Sequence, residues 1–249
     1  MSGKNFRVAE TAERTNVDGK QVKNKVLLAT PANEYELMRP DLMYIDLPSH
    51  LSLHESTQSI EFAYFPNRGM VSQVVVTDDG RTVEVGVVGK EGYVGAGLAV
   101  GLSRSPVREI IQIAGDGFRV TASALERILR SAPRLQVLLN RHTGLQGMQV
   151  AQTAACNRLH DIEQRLSRWL LMTQDRVDSG LLPITHDFIA TMMGTDRSTV
   201  SVTASVLQEK GVIDYVRGAV KIVNRRKLEK TACECYSVIR QFEDDLGLR

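Results

Sequence analysis

Between Thr185 and Gln208 the chain reads THDFIATMMGTDRSTVSVTASVLQ, two short helical patterns separated by one glycine. Thr185 can N-cap the first helix, its hydroxyl accepting a free backbone N–H. Phe188, Ile189, Met192 and Met193 then recur at helical spacing. Gly194 suits the tight turn between two helices. Asp196 can cap the second, whose apolar stripe is Val200, Ala204 and Leu207. Arg197, Ser198, Ser201, Val202 and Ser205 remain outward at its start. Such a face can lie in a major groove, with Arg197 reaching guanine O6/N7 and the small side chains allowing close approach. A helical hairpin in an ordinary α-helical core shows the same bare pattern, so the flanking sequence decides between them.

Lys210-Gly211 ends the second helix. VIDYV (Val212 to Val216), Arg217-Gly218 and AVKIV (Ala219 to Val223) follow, two β-rich runs around a glycine turn. A hairpin placed directly after a helix-turn-helix is a wing, with Arg217 and Lys221 near phosphates. Thr185 to Lys230 holds eight Lys/Arg against five Asp/Glu, a surplus of +3 where the whole chain carries +2. Positive charge is thus gathered where counterion release on DNA would use it.

Composition bounds the alternatives. A chain of 249 residues, 43% hydrophobic, can bury a substantial core in one large or two small domains. No apolar run approaches ~18 residues, which excludes a membrane helix. MSGKNFRVAETAERTNVDG lacks the apolar stretch of a secretory signal. Cys156, Cys233 and Cys235 are too few for a disulfide framework or an all-cysteine four-ligand metal site. The location expected is cytoplasmic. Cys233-x-Cys235 is tighter than the usual metal or redox spacing, and both read as helix residues. No nucleophile–base pair, carboxylate dyad or metal cluster points to an enzyme.

Five segments are expected: a polar, poorly ordered arm over 1–24, a β-rich unit over 25–130, a long helix over 131–158, the winged domain over 159–223 and a helical extension over 224–249. VLLATPANEYELMRP predicts a short helix stopped near Pro40. Leu51 and Leu53 alternate with His50, Ser52 and His54. Glu61 to Phe65 predicts a strand ending in the turn cluster Pro66-Asn67-Arg68-Gly69. Val71 to Thr77 and Thr82 to Val88 flank Asp78-Asp79-Gly80-Arg81, a four-residue hairpin connection, with Val83, Val85 and Val87 facing one way and Glu84 and Gly86 the other. Many short antiparallel strands suggest a closed roll or barrel. Pro133 can start the long helix. Its stripe of Leu135, Leu138, His142, Leu145, Gln149, Gln152 and Cys156 suits a parallel twin, or packing on the roll of the same chain. Asp161 to Met172 is a further amphipathic helix carrying Ile162, Leu166, Trp169 and Leu170, with Asp178-Ser179-Gly180 as a loop beyond it.

This order of elements resembles the Crp/Fnr family of bacterial transcription regulators over roughly residues 25 to 223. DDGRTVEVGVVGKEGYVG (Asp78 to Gly95), RLSRWLLM (Arg165 to Met172) and IATMMGTDRSTVS (Ile189 to Ser201) carry the resemblance. It implies an α+β fold: an antiparallel β-roll like a cyclic-nucleotide-binding jelly roll, a long dimerisation helix and a C-terminal winged helix-turn-helix. It also implies that Arg197 reads guanine and that Thr185, Asp196 and Thr199 touch phosphates. The partners implied are double-stranded DNA, a second copy of the chain and RNA polymerase, with no membrane. The dimer seam would run along Leu135, Leu138, His142, Leu145, Gln149 and Gln152. Ser198 and Val202 stand where the catabolite-activator branch has a Glu and a second Arg, so the operator differs, and Val202 can meet a thymine methyl.

Cyclic-nucleotide-binding members hold their ligand with a Gly-Glu pair and an Arg-Ser pair. Here Gly95 matches, Ala96 replaces the Glu, and Arg104-Ser105 stands about two residues too close, with Arg108 a second candidate. Without the carboxylate the ribose acceptor is lost, and the glycines read as turns of the roll. The expectation is no cofactor, with cyclic nucleotide the disfavoured alternative. No cysteine precedes Cys156, so the family's N-terminal iron–sulfur cluster is not carried over. His50 and His54, on one strand with Cβ atoms roughly 13 Å apart, could not share a metal. His142 packs or lies at the seam, and His186 meets phosphate or solvent; no metal is expected. Beyond residue 223, Leu228, Ala232, Cys235, Ile239, Phe242 and Leu246 form an apolar stripe. Arg225, Arg226 and Lys227 crowd its start and Glu243, Asp244 and Asp245 its end, against the helix macrodipole. That polarity suggests a basic cluster assisting DNA binding, or a solvated charge run. A winged domain that docks a protein instead of DNA is the alternative function.

Overall fold

The computed structural model describes residues 13–177 and 179–245. Leu246, and Asp178 of the expected loop, lie outside them, as do residues 1–12 of the expected arm. Residues 13–24 depart from the expectation of disorder. Asn16, Val22 and Asn24 are buried. Two amide side chains explain it by replacing absent secondary structure with hydrogen bonds. Asn16 Oδ1 accepts from the amides of Asp18 and Lys20. Asn24 caps the next helix and donates to the carbonyls of Pro66 and Gly92, at 3.0 and 2.7 Å.

The single helix expected near Pro40 is two, α1 (Lys25–Ala29) and α2 (Ala32–Met38), broken where Pro31 takes an extended conformation. The roll follows. Its strands are β1 (Met43–Leu47), β2 (Ser52–His54), β3 (Phe62–Val76), β4 (Thr82–Val88) and β5 (Arg108–Thr121), in one antiparallel sheet of order β1-β5-β3-β4, with β2 also on β5. The turn expected at Pro66–Gly69 is instead a run of bulges inside β3. Gly69, at φ 86°, lies against the backbone of β5, and a Cβ on Gly115 would fall 2.0 Å from the Arg68 carbonyl. Bulges of this kind bend a long strand without ending it. His50 is not in a strand; it has φ 68° just beyond Pro48, and its ring lies 6.3 Å from that of Phe188.

α3 (Ala122–Leu129) and α4 (Pro133–Leu159) close one end of the roll. The buried Glu34 carboxylate accepts the Leu135 amide at 2.7 Å and the Arg134 amide at 3.2 Å, serving as the cap of α4 in the absence of a polar N-cap residue. Val26, Met38, Phe65, Tyr93, Phe118, Leu125, Leu135 and Leu139 form the core beneath.

α5 (Ile162–Val177) joins this body to the winged domain, which comprises β6 (Leu181–Leu182), α6 (His186–Met193), α7 (Arg197–Glu209), β7 (Ile213–Val216) and β8 (Ala219–Ile222). One apolar core runs from Met70, Val74, Val87 and Ile113 of the roll through Leu166, Trp169 and Leu170 to Ile189, Val200, Leu207 and Val220. Within it the Trp169 indole donates to Glu84 Oε1 at 2.7 Å, and Ser72 Oγ donates to Oε2 at 2.5 Å. Glu84, expected opposite the valine face of β4, is therefore buried as well, because α5 covers that side. The extension is two helices, α8 (Arg225–Thr231) and α9 (Cys235–Asp245), rather than one. Among the described residues, no helix is long and apolar enough to cross a membrane.

Burial raises the pKa of Glu84 to about 7 despite its two hydrogen-bond donors. Between the unfolded value near 4.5 and about 7 the folded chain holds the extra proton, so stability falls as pH rises through that window. Glu84→Gln keeps an acceptor and removes the titration. Its stability relative to wild type, from urea unfolding at a series of pH values, is expected to improve across that window by on the order of 1–3 kcal/mol and then level off. Glu109, His54 and His142 are common to both proteins, so a parallel pair of curves would refute the assignment to Glu84.

Candidate nucleic-acid interface

The helix-turn-helix is set by three local devices. Thr185 Oγ1 accepts the Phe188 amide at 3.2 Å and starts α6. Gly194, at φ 62°, ends it: the Gly194 amide reaches Thr191 O and the next amide, of Thr195, reaches Ala190 O at 3.0 Å. Asp196 starts α7 by accepting the Thr199 amide at 2.8 Å and the Thr199 hydroxyl at 2.7 Å, with the Ser198 hydroxyl as third donor. Those donors, Ser198 first, hold its carboxyl far below the usual range. Val200, Thr203, Ala204 and Leu207 are buried against α6 and the wing.

The expected contacts separate into two groups. Arg197, Ser198, Val202 and Ser205 are exposed, Val202 at 66%, and project from the first turns of α7. Thr185 is exposed at the start of α6, and Arg217 and Lys221 are exposed on the hairpin of β7 and β8. Asp196 is a cap, and as an ionised carboxylate it would repel a phosphate; the hydroxyls of Ser198 and Thr199 are spent on it. Two further expectations are corrected. His186 Nδ1 lies 3.0 Å from Ser201 Oγ and its ring 3.9 Å from that of Tyr215, so His186 and Ser201 brace α6, α7 and the wing instead of facing outward. Desolvation, then the Arg197 charge, lowers the His186 pKa. Asp187, overlooked in the sequence, lies 3.5 Å from Arg197 and holds that side chain at the surface. Exposed pairs of this kind are weak, so Arg197 can leave it for a stronger acceptor.

Residues 164–231 match the family model for the Crp-like helix-turn-helix domain. FixK2 from Bradyrhizobium japonicum is similar in structure with TM-score 0.66 and 17% identity, covering 77% of this chain and 98% of that one. The c-di-GMP-responsive global regulator CLP from Xanthomonas campestris gives 0.65 and 16%, covering 78% and 100%. A CRP-family transcriptional regulator from Thermus thermophilus gives 0.62 and 20%, covering 76% and 96%. None of the curated protein sequences matches the chain. Residues 164–231 thus form a Crp-like helix-turn-helix domain, and the chain as a whole has the fold of the Crp/Fnr regulators.

The expected effector residues do not act together. Gly95 is left-handed at φ 86°, and its amide donates to Glu109 Oε2 at 3.3 Å. The Ala96 carbonyl accepts the Tyr93 hydroxyl. Arg104 is exposed, and Ser105 Oγ accepts the Val107 amide. Arg108 lies 3.3 Å from Glu55. The carboxylate beside Gly95 is thus Glu109, next to the expected Arg108 and brought to Gly95 by β5. It is buried, donated to by Gln73 Nε2 at 2.8 Å and flanked by His54 Nε2 at 3.6 Å. Burial pushes Glu109 up to about 7 and His54 down to about 4, each towards its neutral form.

The face expected as a dimer seam packs within its own chain. Leu135, His142, Leu145 and Gln149 are buried against their own chain. The His142 ring lies 5.1 Å from Tyr93, Gln149 Oε1 accepts the Val87 amide at 2.7 Å, and Gln152 Nε2 donates to Cys235 Sγ at 3.0 Å. Leu138 is half-buried. The roll and the extension have taken that face because they supply partners within the chain.

A cleft of about 830 Å³ lies between Thr77–Val83 and the helix-turn-helix, lined also by Asn157, Arg165 and Thr191 to Asp196. Gly194 sits at its edge, where a Cβ would meet Val83 Cγ2 at 3.3 Å. Gly194→Ala forces a left-handed alanine against that neighbour. It is expected to cost about 1–2 kcal/mol in chemical unfolding. An unchanged midpoint would show that the turn is not held in this conformation.

Proposed function

We propose that the protein is a cytoplasmic transcription regulator that binds double-stranded DNA as a homodimer and reads a pseudo-palindromic operator through Asp196–Gln208. The observation that carries this reading is the exposed start of α7, where Arg197, Val202 and Ser205 project from a helix whose opposite face is locked into the core. Arg197 supplies the bidentate donor for a guanine, Val202 an apolar contact for a thymine methyl, and Arg217 and Lys221 reach phosphates from the wing. Two copies would place these helices about 34 Å apart, one turn of the duplex.

The exposed side of α4 supports pairing. Val137, Gly144, Met148, Ala151 and Ala155 recur along it at steps of seven, four, three and four residues, and a Cβ on Gly144 would meet nothing within 4 Å. Small and apolar residues in such a stripe let two helices approach closely. The roll would act on the DNA-binding domain through α5, by favouring one placement of it over another.

Selection from a random duplex library at physiological salt tests the reading. An inverted repeat is expected, and Arg197→Ala should weaken binding by about 1–3 kcal/mol and relax one guanine position. Arg217→Ala should lower the slope of log affinity against log salt by about 0.9 without changing the sequence preference. Met148→Glu should shift the protein towards monomer in sedimentation while leaving its circular dichroism unchanged. Absence of any enriched sequence, with the dimer intact and with cyclic nucleotides or c-di-GMP also tried, would favour a winged domain that docks a protein.

A further inference from the structure

Three buried cysteines form a cluster of their own, apart from the apolar cores. Cys156 lies in the last turn of α4, Cys235 is the first residue of α9, and Cys233 lies in the connection just before it. His160 follows α4 immediately, four residues after Cys156 and therefore on the same side of the helix end. One ligand atom from each of these four residues lies within 4.8 Å of all the others. Cys156 Sγ is 3.5 Å from Cys233 Sγ, and Cys235 Sγ is 3.5 Å from His160 Nδ1.

We propose that Cys156, His160, Cys233 and Cys235 form a mononuclear zinc site that pins the C-terminal extension to the junction between the long helix and the DNA-binding domain. Tetrahedral zinc with bonds of about 2.3 Å to sulfur and 2.0–2.1 Å to nitrogen has ligand–ligand edges of about 3.5–3.8 Å. The two shortest separations already have that length. An iron–sulfur cluster spreads its thiolates over several metal atoms, and a ligand set this compact encloses one ion. Three cysteines and one histidine complete a closed structural site, with no position left for a substrate.

The surroundings are those of a metal centre. His160 Nε2 lies 3.2 Å from Glu234 Oε1, so a carboxylate orients the ring and leaves Nδ1 facing the sulfurs. Gln152 Nε2 donates to Cys235 Sγ at 3.0 Å, a bond that favours a thiolate. The buried Arg168, held by Thr153 Oγ1 at 2.7 Å, contributes positive charge felt at Cys156. That charge offsets the net −1 of three thiolates and a neutral imidazole around Zn²⁺. Binding displaces the thiol protons to solvent and changes no oxidation state. Counting cysteines missed the site because its fourth ligand is a histidine, and because Cys156 and His160 precede the DNA-binding domain in the chain while Cys233 and Cys235 follow it.

The full-length protein, purified under reducing conditions without a metal-affinity step, is expected to contain one zinc per chain by elemental analysis. A mercurial thiol reagent should release it. Cobalt(II) added to the metal-free protein should give the intense visible bands of a tetrahedral thiolate site. Glu234→Gln alters an exposed residue and should weaken zinc binding about 10–100-fold with the fold retained; His160→Gln should change the cobalt spectrum. Protein free of zinc that gives only an octahedral cobalt spectrum would overturn the proposal. So would a Cys156–Cys233 disulfide in the freshly isolated protein, or iron recovered together with sulfide. These readouts do not use DNA, so they stand or fall apart from the operator reading.

Discussion

The hydrogen bond from the Trp169 indole to Glu84 lies at the centre of a core that belongs to neither domain alone. α4 and α6 pack on β4 and Trp169 of α5 reaches Glu84, so that acidic residue is buried with Val87 and Val88 while Val83 and Val85 are half-buried. A carboxylate in such a place is tolerated only because donors reach both oxygens; unmet, it would cost several kcal/mol. The consequence is mechanical. The roll and the helix-turn-helix share one apolar core, so any movement of one relative to the other must break or bend this contact. Val83 beside Gly194 and His50 beside Phe188 extend the same junction to the turn of the reading head.

What was legible in the sequence follows from locality. The helix-turn-helix is specified by residues within a few positions of one another: Thr185 and Asp196 as caps, Gly194 as the left-handed stop, and an apolar stripe of period 3.6. The hairpin of β3 and β4 is equally local. The misreadings share another cause. Gly69 and Pro66 look like a turn, and only the presence of β5 alongside makes them bulges. Leu135, His142 and Gln149 look like a seam for a second copy because the sequence does not say that the roll of the same chain lies against them. Asn16 and Asn24 look like a polar arm because their partners, such as the carbonyls of Leu42 and Gly92, are far away in the chain. His160 was passed over because Cys235, 75 residues away, comes to it only in the fold.

The extension shows how charge can mislead when it is counted without partners. Arg225, Arg226 and Lys227 at the start of α8 oppose the helix dipole and suggest an arm for DNA. In the fold, Arg225 is bound by Asp175 and Gln174 of α5, both at 2.7 Å, by the Tyr236 hydroxyl at 2.6 Å and by Glu229 at 3.0 Å. Lys227 Nζ donates to the Lys210 carbonyl at the end of α7. Two of the three cations are therefore spent on holding α8 to α5 and to the end of α7, and the unfavourable dipole term is offset by Asp175 from α5 and Glu229 one turn along α8.

The acidic end of α9 is used in the same way. Arg176 is buried between Glu91 of the roll, at 2.8 Å, and Glu243 of α9, at 3.0 Å. A buried guanidinium needs both partners, since removing either leaves uncompensated charge in the interior. One residue of α5 thus ties the roll to the extension, while Tyr236 and Arg225 tie the extension back to α5. These contacts join segments distant in sequence, and each depends on the same placement of α5. The extension is a brace across the joint on which the reading head is mounted, and its charges are arranged for that joint before they are available to a phosphate.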